Sequence, residues 1–235
     1  MIPKIIHYCW FGGKEKSKLA KKCIESWKKY CPDYQIIEWN ESSFDTSLIR
    51  YTAFTYQRKM YAYLSDYVRL WAVYNYGGIY FDTDVELIAN PDSLLKYSAF
   101  FGFENDTFVN TGIGFGAEKE NQSVRIMLSK YEERTVEYLN NEIKEHHCLT
   151  GSPKMNTYAL LELGLKQTGE QQRLSDGIVI FSKDVFCPFD DETGVLNLSK
   201  KTISIHWFSK SAQGKFVYYK SKISRWVHRI LKESR

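Results

Sequence analysis

The sequence predicts an α/β fold, a parallel sheet with crossover helices. Three observations predict it. Strand-length apolar segments alternate with segments of helical period from the first residues onward. Glycine pairs and proline punctuate the changes, at Gly12-Gly13, Pro32 and Gly77-Gly78. No internal repeat or low-complexity linker interrupts the alternation. At 235 residues the chain fits one domain, or one domain with a small appendage.

The elements follow in order. Lys4 to Phe11 reads as a buried first strand, stopped by Gly12-Gly13. Ser17 to Tyr30 reads as a helix, broken by Cys31-Pro32-Asp33, and Tyr34 to Trp39 as a second strand. This strand–helix–strand beginning is what suggests parallel pairing. Phe54 to Tyr76 is the longest helical pattern, with Gly77-Gly78 as its C-terminal cap. A strand carrying Asp82 and Asp84 follows at once. Asn90-Pro91-Asp92 is a turn and Ser93 to Tyr97 a short helix. Ala99 to Glu104 and Gly112 to Ala117 read as strands, Gln122 to Glu145 as mostly helical, and Ser152 to Gly164 as a further helix. Strands at Gly177 to Phe181 and Thr202 to Trp207 close the body.

Hydrophobic residues make up 43% of the chain, enough for a full core. Most of the 17 Tyr and 6 Trp are expected in that core, although such rings also line sugar and nucleotide sites. Five cysteines, an odd number with no CxxC pair, argue against a disulfide framework or a thiolate zinc site and for a reducing compartment. Met1-Ile2-Pro3-Lys4 leads straight into a strand, and there is no long apolar run. The expectation is no signal peptide and no membrane span, hence a cytoplasmic protein. The net charge of +4 is uneven: residues 215–235 carry seven Lys/Arg and one Glu, a net +6, which leaves −2 for the rest. The body is therefore not an obvious nucleic-acid binder. The tail places Ile223, Trp226, Val227, Ile230 and Leu231 on one helical face and Lys222, Arg225, Arg229 and Lys232 on the other. It reads either as a packed helix with a solvated face or as an interfacial helix on anionic lipid. The second would make the protein peripheral on the inner face of the cell membrane.

The chemistry concentrates at Ile79-Tyr80-Phe81-Asp82-Thr83-Asp84-Val85. On a strand, i and i+2 carboxylates share one face with Cα atoms roughly 7 Å apart. Like charges so close are tolerated most simply around a divalent cation. The alternative is a solvated strand end or a capping acid. Paired acids at the carboxyl edge of a sheet favour the first, since ligands bind at that edge in open α/β sheets. Asp66 and Arg69 share a helix face at i, i+3, either as a structural ion pair or as a pair that fixes substrate hydroxyls; Arg69 could also meet a phosphate in bidentate fashion. His206, in Ser204-Ile205-His206-Trp207, is a metal ligand only if folding brings it to Asp84. Trp10 follows the first strand and could stack on a base, or fill the core. Thr111 to Gly116 is not GxGxxG and lacks the Walker lysine, so a strand with close backbone approach is the better reading.

Several of these segments converge. Ile2-Pro3-Lys4-Ile5-Ile6-His7-Tyr8-Cys9-Trp10-Phe11-Gly12-Gly13 resembles the opening of glycosyltransferase family 32, which includes bacterial capsular-polysaccharide transferases and yeast initiating mannosyltransferases. Ala62-Tyr63-Leu64-Ser65-Asp66-Tyr67-Val68-Arg69 looks like its helix signature, and Tyr76-Gly77-Gly78-Ile79-Tyr80-Phe81-Asp82-Thr83-Asp84 like its DxD core. The catalytic domains of large clostridial glucosylating toxins share a similar pattern. The resemblance implies a GT-A fold over residues 1–214: a Rossmann-like αβα sandwich with a mixed, mostly parallel sheet, followed by a basic amphipathic C-terminal helix at residues 215–235.

The resemblance also implies a retaining transferase that moves a hexose or N-acetylhexosamine from a nucleotide sugar, by resemblance a UDP-sugar, to a saccharide or lipid-linked acceptor in polysaccharide synthesis. Mn²⁺ or Mg²⁺ would bridge the diphosphate. By position, Asp84 would bind the metal, and Asp82 would reach the ribose and a metal-bound water. His206 would be the C-terminal ligand. Asp66 and Arg69 would hold the donor sugar; together with Asp82 and Asp84 they form the catalytic set. Trp10 would contact the base, with His7, Tyr8 and Ser211 among the residues binding the donor. Family members continue from the His towards a Ser-Trp pair; here Ser211 fits, Ala212 stands in place of Trp, and Trp207 or Lys210 becomes the stand-in. Gly151-Ser152-Pro153 is similar to a Gly-Pro element bordering the acceptor site. Two rivals remain. An aspartyl-nucleophile phosphatase shares strand-DxD but expects Thr or Val where Glu86 stands, and a later acid cluster that is missing. A non-catalytic carbohydrate-binding module suits the aromatic content but leaves Asp66, Arg69, Asp82 and Asp84 unexplained.

Overall fold

A computed structural model describes residues 1–209. The proposed helix at 215–235, together with Lys210, Ser211 and Ala212, lies outside the described residues. In chain order the elements are β1 (Ile5–Cys9), α1 (Lys18–Tyr30), β2 (Gln35–Trp39), α2 (Arg50–Gln57), α3 (Tyr61–Tyr76), β3 (Gly78–Tyr80), β4 (Val85–Leu87), β5 (Ala99–Gly102), β6 (Phe115–Ala117), α4 (Gln122–Glu132), α5 (Val136–His146), α6 (Ser152–Leu161), β7 (Gln172–Arg173), β8 (Ile178–Phe181), α7 (Lys183–Phe186) and β9 (Ser204–His206).

Among the described residues, seven strands form one sheet in the order β2-β1-β3-β6-β5-β8-β7, and β4 and β9 form a separate antiparallel pair. The β1–β2, β1–β3 and β5–β8 pairings are parallel, while β6 and β7 run against their neighbours. Five strands therefore point one way, and the sheet is mixed and mostly parallel, as expected. Strand period 2 sorts side chains onto both faces. Tyr80, Phe101, Ile178 and Ile180 enter one core, with α3 and α4. Ile79, Phe81, Phe100 and Val179 enter the other, with α1 and α7. Two apolar faces each covered by helices make the αβα sandwich.

The local chemistry is legible in α1. Ser17 Oγ accepts the Ala20 amide at 3.1 Å, Lys28 and Lys29 face the C-terminal dipole, and Ala20, Cys23, Ile24 and Trp27 form the buried stripe. Two long helical patterns are split. The pattern from Phe54 to Tyr76 is two helices: the chain turns at Lys59, where φ is +57°, and the Met60 amide bonds back to the Thr55 carbonyl at 2.8 Å. The pattern from Gln122 to Glu145 breaks before Thr135, whose side chain caps α5 by accepting the Tyr138 amide. Arg58, Lys59 and Met60 are all good helix formers, so tertiary packing rather than propensity sets that break. Gly77 caps α3 at φ +66°, its amide on the Val73 carbonyl at 2.8 Å.

β1 and β3 are adjacent and parallel, while α1 lies on one face and α3 on the other. The chain therefore switches direction between them, and the crevice beyond their carboxyl ends is where an open α/β sheet binds ligands.

Candidate active site

Asp82 and Asp84 lie beyond β3, on a turn rather than on a strand. The Asp82 amide donates to the Gly112 carbonyl at 3.0 Å, and the Val85 amide closes the turn on the Asp82 carbonyl at 3.0 Å. The strand-face geometry expected for the pair is thus corrected: β3 ends early because residues 111–114 bend across its end instead of pairing with it. His206 reaches the turn from β9, paired with Val85 of β4. One ligand atom from each of Asp82, Asp84 and His206 lies within 4.8 Å of the others.

Each acid has a different environment. Asp84 pairs with His206 Nε2 at 3.3 Å and accepts the Ser209 amide on its other oxygen at 2.7 Å. Burial alone would raise its pKa, but His206 and the Ser209 amide win and hold it well below the usual carboxylate range. Burial likewise works against the His206 cation, and Asp84 overcomes it, so the imidazole pKa is raised. His206 Nδ1 is buried without a hydrogen-bond partner of good geometry among the described residues, the Cys187 thiol being the polar group beside it. Asp82 is pushed up, burial outweighing the nearby Arg69. Its Oδ1 accepts the Tyr80 hydroxyl at 2.9 Å and an Arg69 N–H at 3.2 Å.

Arg69 ties the carboxylates together. The same terminal nitrogen pairs with Asp66 at 2.9 Å and with Asp82 at 3.2 Å. Its Nε donates to the Ser65 carbonyl at 3.2 Å, and the other terminal nitrogen lies 3.4 Å from Thr111 Oγ1 and 3.5 Å from Ser152 Oγ. Asn156 Nδ2 donates to the same Thr111 hydroxyl at 2.8 Å. Asp66 also takes hydrogen bonds from the Ser152 hydroxyl and amide, at the start of α6. Even so, burial pushes its pKa up to about 6, with Arg69 opposing and Asp82 adding to the rise. Gly112 must be glycine: a Cβ there would stand 2.2 Å from Asp82 Oδ2 and 2.9 Å from an Arg69 nitrogen.

The structure therefore brings together Asp66, Arg69, Asp82, Asp84 and His206. Trp10 sits at the same sheet edge, half-buried, its indole N–H on the Lys14 carbonyl at 2.6 Å and the Lys16 ammonium 5.6 Å from its ring. Two expected donor contacts, His7 and Tyr8, have other partners in this structure. His7 is fully buried with Nε2 on the Gly77 carbonyl at 2.8 Å and Nδ1 accepting the Trp39 indole at 3.1 Å; both nitrogens are spent inside the core. Burial lowers its pKa to about 4. The Tyr8 hydroxyl is held by Glu38, which also pairs with Lys16 at 2.6 Å. Trp207, the expected stand-in for a phosphate contact, places its indole N–H on Glu86 Oε2 at 2.9 Å. Ser211 lies outside the described residues. Tyr80, Thr111 and Asn156 carry no distinctive functional signal in the sequence, and Ser152 carries one only within Gly151-Ser152-Pro153.

Two carboxylates and an imidazole converging at one sheet edge are a donor set that could hold a divalent metal ion. Burial raises the Asp82 pKa first and the charge of Asp84 adds to the rise, and a bound cation would oppose both.

Residues 17–101 match the family described as "glycosyltransferase sugar-binding region containing DXD motif". The "inositol phosphoceramide mannosyltransferase 3" of Schizosaccharomyces pombe is 36% identical over 106 residues, covering 42% of this chain and 29% of that protein. The "mannosyl phosphorylinositol ceramide synthase CSH1" of Saccharomyces cerevisiae is 32% identical over 120 residues, covering 48% and 31%. The chain thus matches about a third of the length of these curated relatives. Among solved structures, the "PaToxG glycosyltransferase" aligns with a TM-score of 0.49 at 20% identity, over 68% of this chain and 69% of that one.

Proposed function

We propose that the protein is a metal-dependent, retaining glycosyltransferase of the family 32 type using a nucleotide-sugar donor, a reading supported by the match of residues 17–101 to a DXD-containing glycosyltransferase sugar-binding region. The observation that carries this reading is the convergence of Asp82, Asp84 and His206 within 4.8 Å, from segments far apart in the chain. Asp84 and His206, with Asp82, would hold Mn²⁺ or Mg²⁺, whose charge offsets that developing on the diphosphate leaving group. Arg69 fixes Asp66 and Asp82 in one geometry, so that these carboxylates can accept hydroxyls of the donor sugar and the ribose without reorganising. The acceptor hydroxyl would attack from the face that the leaving group departs. No general base is assigned.

A UDP-hexose or UDP-N-acetylhexosamine is the first donor to test. GDP-mannose is the second, because the names of the two yeast relatives specify mannosyl transfer. Those names also specify ceramide-linked acceptors, which favours a lipid-linked acceptor over a free saccharide. The basic tail would hold the protein at the membrane surface carrying such an acceptor. The experiment is a panel of UDP- and GDP-sugars with Mn²⁺, scored by thermal stabilisation and slow release of nucleoside diphosphate. One donor is expected to stand out on both. Stabilisation by none, with robust turnover of a generic phosphate ester, would favour the phosphatase instead.

A further inference from the structure

His206 can serve the metal site only if β9 is held in register against β4, and the ladder between them is short. It comprises Val85↔His206, Glu86↔Ile205 and Leu87↔Ser204. A two-stranded ribbon of three residues a side is marginal on its own. Side chains beside the ladder must supply the remaining constraint.

We infer that Glu86 and Trp207 form a clamp that positions His206, a role that rests on the metal reading above. Glu86 points away from the carboxylate cluster and is mostly buried, with its side chain 17% exposed. Its Oε2 accepts the Trp207 indole N–H at 2.9 Å and pairs with Lys22 Nζ of α1 at 2.8 Å. The Lys22 ammonium also lies 5.6 Å from the Trp207 ring, and Phe189 packs on the same ring with centroids 5.4 Å apart. The Trp207 amide donates to the Asp84 carbonyl at 3.0 Å. The residue directly after His206 is therefore fixed at its backbone by the Asp84 carbonyl and at its side chain by Glu86, on the strand that follows Asp84. The imidazole between these two anchors has little freedom to leave the carboxylates.

The two parts of the clamp are unequal. Lys22 is 60% exposed, and an exposed ion pair contributes little. The indole–carboxylate hydrogen bond is charge-assisted and largely shielded, so it carries most of the constraint. Glu86 and Trp207 are positioning residues that act through His206. Removing a group hydrogen-bonded to a metal ligand costs about 10–100-fold in metal affinity, and Glu86 and Trp207, which act one residue away from His206, are expected at the low end of that range.

The test is Mn²⁺ binding by the full chain, with the free ion counted by electron paramagnetic resonance and the fold monitored by circular dichroism and Tm. Glu86→Ala and Trp207→Phe should each weaken Mn²⁺ about tenfold with native spectra. Glu86→Gln keeps an acceptor for the indole and should lose no more than about threefold, while Lys22→Met should stay within about twofold. The double variant Glu86→Ala/Trp207→Phe should be no weaker than either single one, because both remove the same bond. Wild-type affinity in Glu86→Ala, alongside a loss in His206→Ala, overturns the clamp and leaves the metal reading standing. Absence of Mn²⁺ binding by the wild type overturns the metal reading and the clamp with it. Additive losses in the double variant also overturn the clamp.

Discussion

Arg69 is 4% exposed, and a cation buried that deeply is stable only when paired and hydrogen-bonded. Asp66 and Asp82 supply the pairs, and the Ser65 carbonyl an acceptor. Burial is the main reason that the Asp66 pKa rises to about 6, and with one guanidinium between two carboxylates the charge of Asp82 adds to the rise. The sign of the stability effect follows. An acid whose pKa is raised on folding stabilises the native state below its unfolded value of 3.8, and that contribution is lost as pH rises through about 6. At neutral pH the ligand-free protein therefore carries a deficit on the order of 2–3 kcal/mol. Asp66→Asn is expected to flatten the fall of Tm between pH 4 and 7, and to sit at or above the wild type at pH 8 while losing sugar transfer. Parallel melting profiles for the two proteins would refute the assignment. The acids of this cluster were legible because they interrupt apolar patterns. Tyr80, Thr111 and Asn156 were not, since a Tyr, Thr or Asn in a core segment has no distinctive spacing, and only the fold brings these three to Arg69.

At the scale of elements, β1, α1 and β2 were read closely because cap, stripe and punctuation agree there. The helix pattern from Phe54 to Tyr76 hid its break, since the turn at Lys59 lies among helix-forming residues. The Asp82–Asp84 segment carries a strand's apolar approach but turns under the backbone of residues 111–114, which no local pattern announces. The sequence predicts β9 as a closing strand of the body; among the described residues it pairs with β4 alone and so carries His206 to Asp84. The tail is argued from sequence alone: its seven basic residues include a charged face opposite an apolar one. Removing residues 215–235 should weaken binding to anionic vesicles by about tenfold or more and spare donor hydrolysis. Equal vesicle binding with and without the tail would remove the membrane proposal.

At the scale of the whole molecule, the sheet does two jobs. Its faces bury the two cores, and at its carboxyl edge residues from α3, the turn after β3 and β9 meet in one cluster. Asp82, Asp84, His206, the Asp66–Arg69 pair and Trp10 could be anticipated at that edge; most of the supporting network depends on crossings that the sequence does not encode locally. The central claim is that Asp84 holds a divalent ion required for transfer from a nucleotide sugar. The direct measurement is donor turnover by wild type and Asp84→Asn across a Mn²⁺ titration, after removal of metal by chelation. Turnover should vanish on chelation, return with Mn²⁺ in the wild type, and stay lower by about 100-fold in a folded Asp84→Asn variant. Equal turnover by the variant, or wild-type turnover that persists without metal, would contradict the account.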